Sequence, residues 1–373
     1  MQAQKKFNAE MLILARQSRG YSQSELAQFL SISPGWLSRI EAELKEITPD
    51  LLIKISEVLD YPESFFFRDA KLFGPGISEM FNRSRSKVPI KARDKNYACS
   101  EIHRINIINL LNGVDIGDIL IPQYDMEEFD GNIQNIAKAV RAKWNLPHGP
   151  IKNVVKTIED ARGIVVPIDF ENRLVDATSI APQKMPPIFF MGTNFPTDRV
   201  RFSLSHELGH IVMHQNNPNP FQENQADLFA AEFLMPENDI KPYLINIDLP
   251  KLANLKPFWK VSMGALLKRT KNLGLISDRH YKTLWIEMGK AGYRVREPVE
   301  LDLPQEAPKL LEEIIGVYCN QMNYSIEELA KLFSLHAHEV AHLYFGAALS
   351  DRQEEIDATI KEAELILKEY RKK

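Results

Sequence analysis

Residues 201–214 read RFSLSHELGHIVMH, and the two histidines at 206 and 210 decide how the middle of the chain folds. On an α-helix, positions four apart differ by about 40° in azimuth and lie about 6 Å apart along the axis. The imidazoles of His206 and His210 can therefore close on one zinc ion at roughly 2.0–2.1 Å. Glu207 sits one residue round the helix, off the ligand face, where it can accept a proton from a metal-bound water. A catalytic site of this type needs a third protein ligand and an open fourth position. His214 lies about 12 Å along the axis from His206, so a straight helix cannot bring both to one ion. Ile211-Val212-Met213 offers no glycine to break that helix. Downstream, residues 221–236 read FQENQADLFAAEFLMP. Glu223 and Asp227 stand one turn apart ahead of an apolar face of Leu228, Phe229, Phe233 and Leu234. Glu223 is the favoured third ligand, with Glu232 as runner-up at a solvated or partly buried helix position, and Asp227 can accept a hydrogen bond from a ligand histidine.

HELGH followed by E-x-x-A-D-x-F-A-A-E-F-L-M-P resembles the ImmA/IrrE family of zinc metallopeptidases. Residues 137–168 are similar to the family's leading helices and first strand, PPIFFMGTN (186–194) to the strand before the active helix, and residues 259–277 to its C-terminal extension. The resemblance covers about residues 130–300. It implies an α+β, zincin-like domain, a Zn2+ cofactor held by His206, His210 and Glu223, catalysis through Glu207, and a transcriptional repressor as the cleaved protein. Cleavage of the chain's own N-terminal domain is a further option. The strand at Ile188–Met191 is expected to hold an extended substrate by strand addition. Ile164–Ile168 is expected as a second buried strand.

The first seventy residues carry a different pattern. Ser22-Gln-Ser-Glu25 is a capping box, Ser33-Pro34 and Thr48-Pro49 are cap-plus-proline helix starts, and Leu26, Ala27, Leu37, Ile40, Leu52 and Ile55 fall at buried helical spacing. Two short helices joined by a tight turn form a helix-turn-helix. SQSELAQFLSISPGWLSRIEAE (22–43) resembles the Cro/lambda-repressor (XRE) family over about residues 7–68. That resemblance places Gln23 against a phosphate and turns Ser33, Trp36, Ser38 and Arg39 toward the groove of operator DNA. Pro34 and Gly35 replace longer polar readers, so direct base readout is expected to be thin. A homodimer on paired half-sites is expected.

Charge gives little further help. The chain has 46 Lys and Arg against 50 Asp and Glu, a net −4, so it is no polycation. Residues 71–95 hold a local excess of basic side chains and read as a basic linker. Two distant cysteines, Cys99 and Cys319, suit a reducing compartment, and no segment is apolar enough to span a membrane, so a cytoplasmic location is expected. A second HExxH, His338-Glu-Val-Ala-His342, lacks a following E-x-x-A-D segment. It sits after another capping box, Ser325–Glu328, in a helix-turn-helix-like pair, which points to a surface or partner-contact helix. No repeat of fixed period is evident. The expected organisation is multidomain. It has an all-α helix-turn-helix domain (1–70), a basic linker (71–96), a zincin-like metallopeptidase domain with leading helices (97–300) and a helical C-terminal region (301–373), with a linker over 297–308. The expected function is a DNA-binding transcriptional regulator with a zinc-dependent endopeptidase-like domain acting on a regulatory protein. The alternative is a non-enzymatic repressor or antitoxin-type regulator whose zincin domain is a sensor or partner dock.

Overall fold

The computed structural model describes residues 6–70, 72, 89–170, 175–214 and 219–346. They divide into two compact units. One draws on the N-terminal residues through position 71, on 105–114 and on the chain from 314; the other draws on 72–104 and 115–313. The expected fold class holds: a helical N-terminal region, a central region with a small mixed sheet among helices, and a helical C-terminal region.

In the first unit, α1 (Ala9–Ser18) starts at Asn8, whose side chain accepts from the Glu10 amide at 3.0 Å. The chain turns at Gly20 with φ +70°, a backbone state that glycine adopts without strain. The anticipated capping box opens α2 (Gln23–Phe29): Ser22 Oγ accepts from the Glu25 amide at 3.2 Å, and the Glu25 carboxylate accepts from the Ser22 amide at 2.7 Å. Ser33 caps α3 (Pro34–Glu41) and Pro34 takes its first position. At α4 (Pro49–Leu59) Thr48 makes no side-chain cap bond, so the proline alone pre-sets that start. Met11, Leu12, Leu26, Leu37, Ile40 and Ile55 are buried to 1% exposure or less, as the apolar spacing requires.

A long helix, α5 (Ile90–Leu111), follows, and its first turns take up residues 90–96 of the expected basic linker. Of the rest of that linker, residues 71 and 73–88 lie outside the described residues, as does the charged segment from Asp351. The second unit then adds α6 (Ile133–Lys143) and α7 (Val154–Asp160), capped by Asn132 and Asn153. Its sheet has β1 (Ile164–Ile168), β2 (Ala177–Ile180) and β3 (Ile188–Gly192) in the order β1-β3-β2, with β1 parallel and β2 antiparallel to β3. This corrects the expected substrate strand. Ile188–Met191 is the central strand, bonded on both edges, and has no edge left for strand addition.

Against the sheet lies α8 (Thr197–Met213), and α9 (Gln222–Leu234) packs on α8 and α6. A Cβ on Gly209 would stand 3.1 Å from the Phe229 ring, so glycine at that place in HELGH lets α9 approach closely. The ring of Phe229 stacks on that of Phe233 at 5.7 Å, and Leu204, Leu208, Phe229 and Phe233 are fully buried between the helices and their neighbours. The short α10 (Glu237–Ile240) leads to α11 (Leu249–Trp259), α12 (Met263–Asn272) and α13 (Asp278–Lys290).

Residues 297–308 are not a loose connection. Glu297 pairs with buried Lys256 at 2.7 Å, and Lys256 also holds Asp198 in the first turn of α8 at 2.6 Å. Glu306 accepts from the amides of Val154 and Val155 at the start of α7 and pairs with Arg201 of α8. The chain then forms α14 (Leu310–Gly316), α15 (Ile326–Phe333) and α16 (Ala337–Tyr344), of which the residues from 314 on pack within the first unit.

Candidate metal centre

His206 and His210 project from one face of α8, and Glu223 meets them from the first turn of α9. Glu223 Oε2 lies 3.5 Å from His206 Nε2, Glu223 Oε1 lies 3.3 Å from His210 Nε2, and the two Nε2 atoms are 3.0 Å apart. Three potential ligand atoms thus sit within 4.8 Å of one another, the one such His, Cys, Asp or Glu group among the described residues. Two imidazole nitrogens and one carboxylate oxygen are a donor set that zinc takes up in open catalytic sites. Glu223 Oε1 is buried and has no hydrogen-bond donor, an oxygen that an ion would satisfy. By donor chemistry and by this orphaned oxygen, the residues fit a metal ion.

The other ring nitrogens are held in place. His206 Nδ1 is 3.0 Å from Asp227 Oδ1, and Asp227 Oδ2 accepts from Lys268 Nζ of α12 at 2.8 Å. With Nδ1–H donated to Asp227, the lone pair of His206 stands on Nε2, toward Glu223. His210 is oriented through a longer chain. Gln225 Oε1 accepts from Asn219 Nδ2 at 3.0 Å and lies 2.9 Å from His214 Nε2, so His214 donates from Nε2 and presents a lone pair on Nδ1. His214 Nδ1 is 3.1 Å from His210 Nδ1, which must then carry the proton, leaving the His210 Nε2 lone pair facing Glu223. His214, dismissed as a ligand on axial distance, is thus a positioning residue. Burial, with His210 beside it, pushes its pKa down to about 4, as a neutral relay requires.

The ligand groups feel one another strongly. Burial opposes the charged form of His206, but Asp227 and Glu223 outweigh it and raise its pKa to about 9, so a metal ion binding at Nε2 must displace a proton there. Burial likewise opposes the ionised Glu223, and the imidazoles of His206 and His210 beside it win, holding it down at about 2.

Glu207 is 2% exposed, and its Oε2 accepts from Ser179 Oγ of β2 at 2.7 Å. Sequence reasoning missed Ser179, because a four-residue strand reading ATSI has neither length nor alternation to announce it. It also missed Lys268 and Gln225, which lie on helix faces with no motif. The runner-up ligand is placed elsewhere: Glu232 is fully buried, pairs with Arg269 and accepts from the Glu237 amide at 3.2 Å, so it is neither solvated nor near the ion position. His206, Glu207, Glu223, Asp227 and Lys268 line a cleft of about 2120 Å³ within the second unit.

The second HExxH joins no cluster of three metal-ligand atoms among the described residues. Instead His338 Nε2 lies 3.3 Å from Asp60 Oδ2, and Glu339 pairs with Arg19 at 3.0 Å. In the helix-turn-helix, Ser33, Trp36, Ser38 and Arg39 are exposed along α3. Ser33 Oγ is engaged by the Trp36 amide at 3.2 Å, and Lys45 Nζ stands 3.9 Å over the Trp36 ring. Gln23 Nε2 donates to Glu41 Oε2 at 2.6 Å, and Glu41 also pairs with buried Arg16.

Residues 12–66 match the helix-turn-helix family, and residues 159–271 match the peptidase M78 family, described as the IrrE N-terminal-like domain. The chain is 43% identical over 51 residues to the HTH-type transcriptional regulator RamB of Mycobacterium tuberculosis strains CDC 1551 / Oshkosh and ATCC 25618 / H37Rv. That similarity covers 14% of this chain and 11% of the relatives' length. No helix among the described residues is long and apolar enough to cross a membrane. With the matched segments falling on α1–α4 and on the elements that carry the metal-site residues, the chain joins an N-terminal XRE-type helix-turn-helix domain to an IrrE N-terminal-like, peptidase M78 domain.

Proposed function

We propose that this protein is a DNA-binding transcriptional regulator whose second unit is a zinc-dependent metalloendopeptidase acting on a regulatory protein. The observation that carries the enzymatic half is the convergence of His206 Nε2, His210 Nε2 and the Glu223 carboxylate beside a buried Glu207 in an open cleft. His206, His210 and Glu223 would hold Zn2+. Bound there, the ion supplies Lewis acidity, which polarises a scissile carbonyl and lowers the pKa of water. Glu207 accepts a proton at its carboxylate and returns it to the leaving amine, while the Ser179 hydroxyl fixes the rotamer from which it does so. Asp227 and His214 keep the ligand nitrogens in the tautomer that binds metal. The substrate we favour is a transcriptional repressor, with the chain's own N-terminal domain as a second option.

DNA binding rests on the helix-turn-helix match and on the exposed α3 face, with Arg39 as the cation placed to meet a phosphate or a base edge. Gln23 contributes through Glu41 to the packing of α2 on α3 and would contact a phosphate only through its second Nε2 hydrogen or its backbone amide. A homodimer on paired half-sites fits a helix-turn-helix that reads DNA through the one exposed helix α3.

The test is incubation of zinc-loaded chain with the proteins of its host, comparing wild type and Glu207→Gln by mass spectrometry. New peptide termini are expected with wild type and not with the variant, with zinc content equal in both. Identical peptide patterns would leave the domain as a sensor or dock.

A further inference from the structure

The second HExxH is a by-product of another pattern. Laid over residues 9–41 at a constant offset of 303, residues 312–344 repeat Glu10, Tyr21, Ser22, Glu25, Leu26, Ala27 and Ser31 as Glu313, Tyr324, Ser325, Glu328, Leu329, Ala330 and Ser334. The backbone repeats more closely than the side chains. Ser22 and Ser325 both cap with a reciprocal glutamate at matching distances, 2.7 and 3.2 Å against 2.8 and 3.2 Å. The turns between the helices match bond for bond. Ile32 N donates to Ala27 O at 3.0 Å and Leu335 N to Ala330 O at 2.9 Å. Ser31 N donates to Gln28 O at 3.1 Å and Ser334 N to Lys331 O at 3.2 Å. The positive-φ positions coincide, Gly20 with Asn323 and Ser31 with Ser334. The cores coincide as well: Leu12 with Ile315, Leu26 with Leu329, Leu30 with Phe333 and Leu37 with Val340, all buried.

From this we infer that residues 312–344 form a second helix-turn-helix, and that its second helix docks on the ends of α1 and α4 instead of reading DNA. Two observations set that role. The repeat carries Glu312, Glu313, Glu327, Glu328 and Glu339 against Lys331 alone, a charge that repels a phosphate backbone. And three positions at the start of α16 that correspond to the exposed start of α3 are already engaged, while His342, in the place of Arg39, is exposed. Glu339, in the place of Trp36, pairs with Arg19 at 3.0 Å. His338, in the place of Gly35, lies 3.3 Å from Asp60, and His336, in the place of Ser33, lies 3.8 Å from it. Arg19 and Asp60 are the C-terminal caps of α1 and α4, and Arg19 is itself anchored by the carbonyls of Leu59 and Asp60 at 2.8 and 2.9 Å. Docking there leaves Ser33, Trp36, Ser38 and Arg39 of α3 exposed, so the two helix-turn-helices divide the labour: the first faces outward and the second holds it.

Amide exchange on the full-length chain tests the docking. Glu339→Gln is expected to speed exchange in residues 337–344 several-fold without changing β1 or β3. In an Arg19→Met background the same substitution is expected to add nothing, because the pair is already broken. An equal effect in both backgrounds, or none in either, overturns the docking. The DNA arm uses a duplex selected from a random-sequence pool by the wild-type chain. His338→Ala/His342→Ala is expected to bind it within twofold of wild type. A loss as large as that of Arg39→Ala would make α16 a DNA reader and overturn the proposal. Should Arg39→Ala also bind normally, the DNA-binding role of the first helix-turn-helix fails, while the exchange result still judges the docking.

Discussion

HELGH at 206–210 and HEVAH at 338–342 satisfy one five-residue pattern and do different things. Both place two histidines four apart on a helix. At 206–210 a neighbouring helix brings Glu223 to within 3.5 Å of both Nε2 atoms, and Asp227 and His214 orient the rings from behind. At 338–342 the neighbours are the ends of α1 and α4, and the same positions carry an ion pair to Arg19 and contacts to Asp60. The lesson is that histidine spacing only permits a metal site. What makes one is a third donor and fixed tautomers, both supplied by elements distant in sequence.

The sharpest way to break the contrast is to remove both histidines of each pair. His206→Ala/His210→Ala is expected to take zinc from about one ion per chain to near zero, measured by elemental analysis of the purified protein. His338→Ala/His342→Ala should leave zinc content unchanged, and a loss there would give the second motif a metal after all. The next largest effect isolates orientation. Asp227→Asn keeps size and removes the charge facing His206 Nδ1, and a weakening of zinc affinity by about 10–100-fold is expected in chelator competition. Unchanged affinity would mean that Asp227 serves only its ion pair with Lys268.

A third substitution addresses a position where the two motifs differ in bulk, Gly209 against Ala341. Gly209→Val pushes its side chain into Phe229, already 3.1 Å from a Cβ there, and should lower unfolding free energy by about 1–3 kcal/mol in denaturant titration. Gly209→Ala should be milder, since a helix-propensity gain of up to about 1 kcal/mol offsets the crowding. The smallest effect belongs to Ser179→Ala. Zinc content should not move, and cleavage should slow by roughly tenfold or less, as expected for one lost hydrogen bond of about 1 kcal/mol to Glu207. A loss as deep as that of Glu207→Gln would assign Ser179 a larger part.

Much of this was legible in the chain itself where the signal is local. Capping boxes, cap-plus-proline starts and i,i+4 histidines act within one or two helical turns, so Ser22, Ser33, His206 and His210 stand where their spacing put them. Glu223 was legible because E-x-x-A-D leads an apolar helix face that must bury against something. What failed depends on partners far along the chain. Ile188–Met191 reads as a strand in either an edge or a central place, and only pairing with both β1 and β2 decides against substrate addition. Glu232 looks like any helix glutamate until Arg269, 37 residues on, meets it in the core. The helix-turn-helix-like pair after Ser325 was legible, but its match to 9–41 was not, because a core tolerates Leu, Ile, Val and Phe in exchange and few letters are identical.

By itself, then, the sequence determined which segments are helices, where they begin, and that two imidazoles share a face, because backbone hydrogen bonding and side-chain period are set over a few residues. Only the tertiary structure decided which of the two HExxH patterns receives a carboxylate shared by both histidines, and which groups face the outer ring nitrogens and set their tautomers. Those outcomes depend on a few ångströms between groups tens to hundreds of residues apart, and hydrogen bonds and ion pairs weaken steeply over that distance.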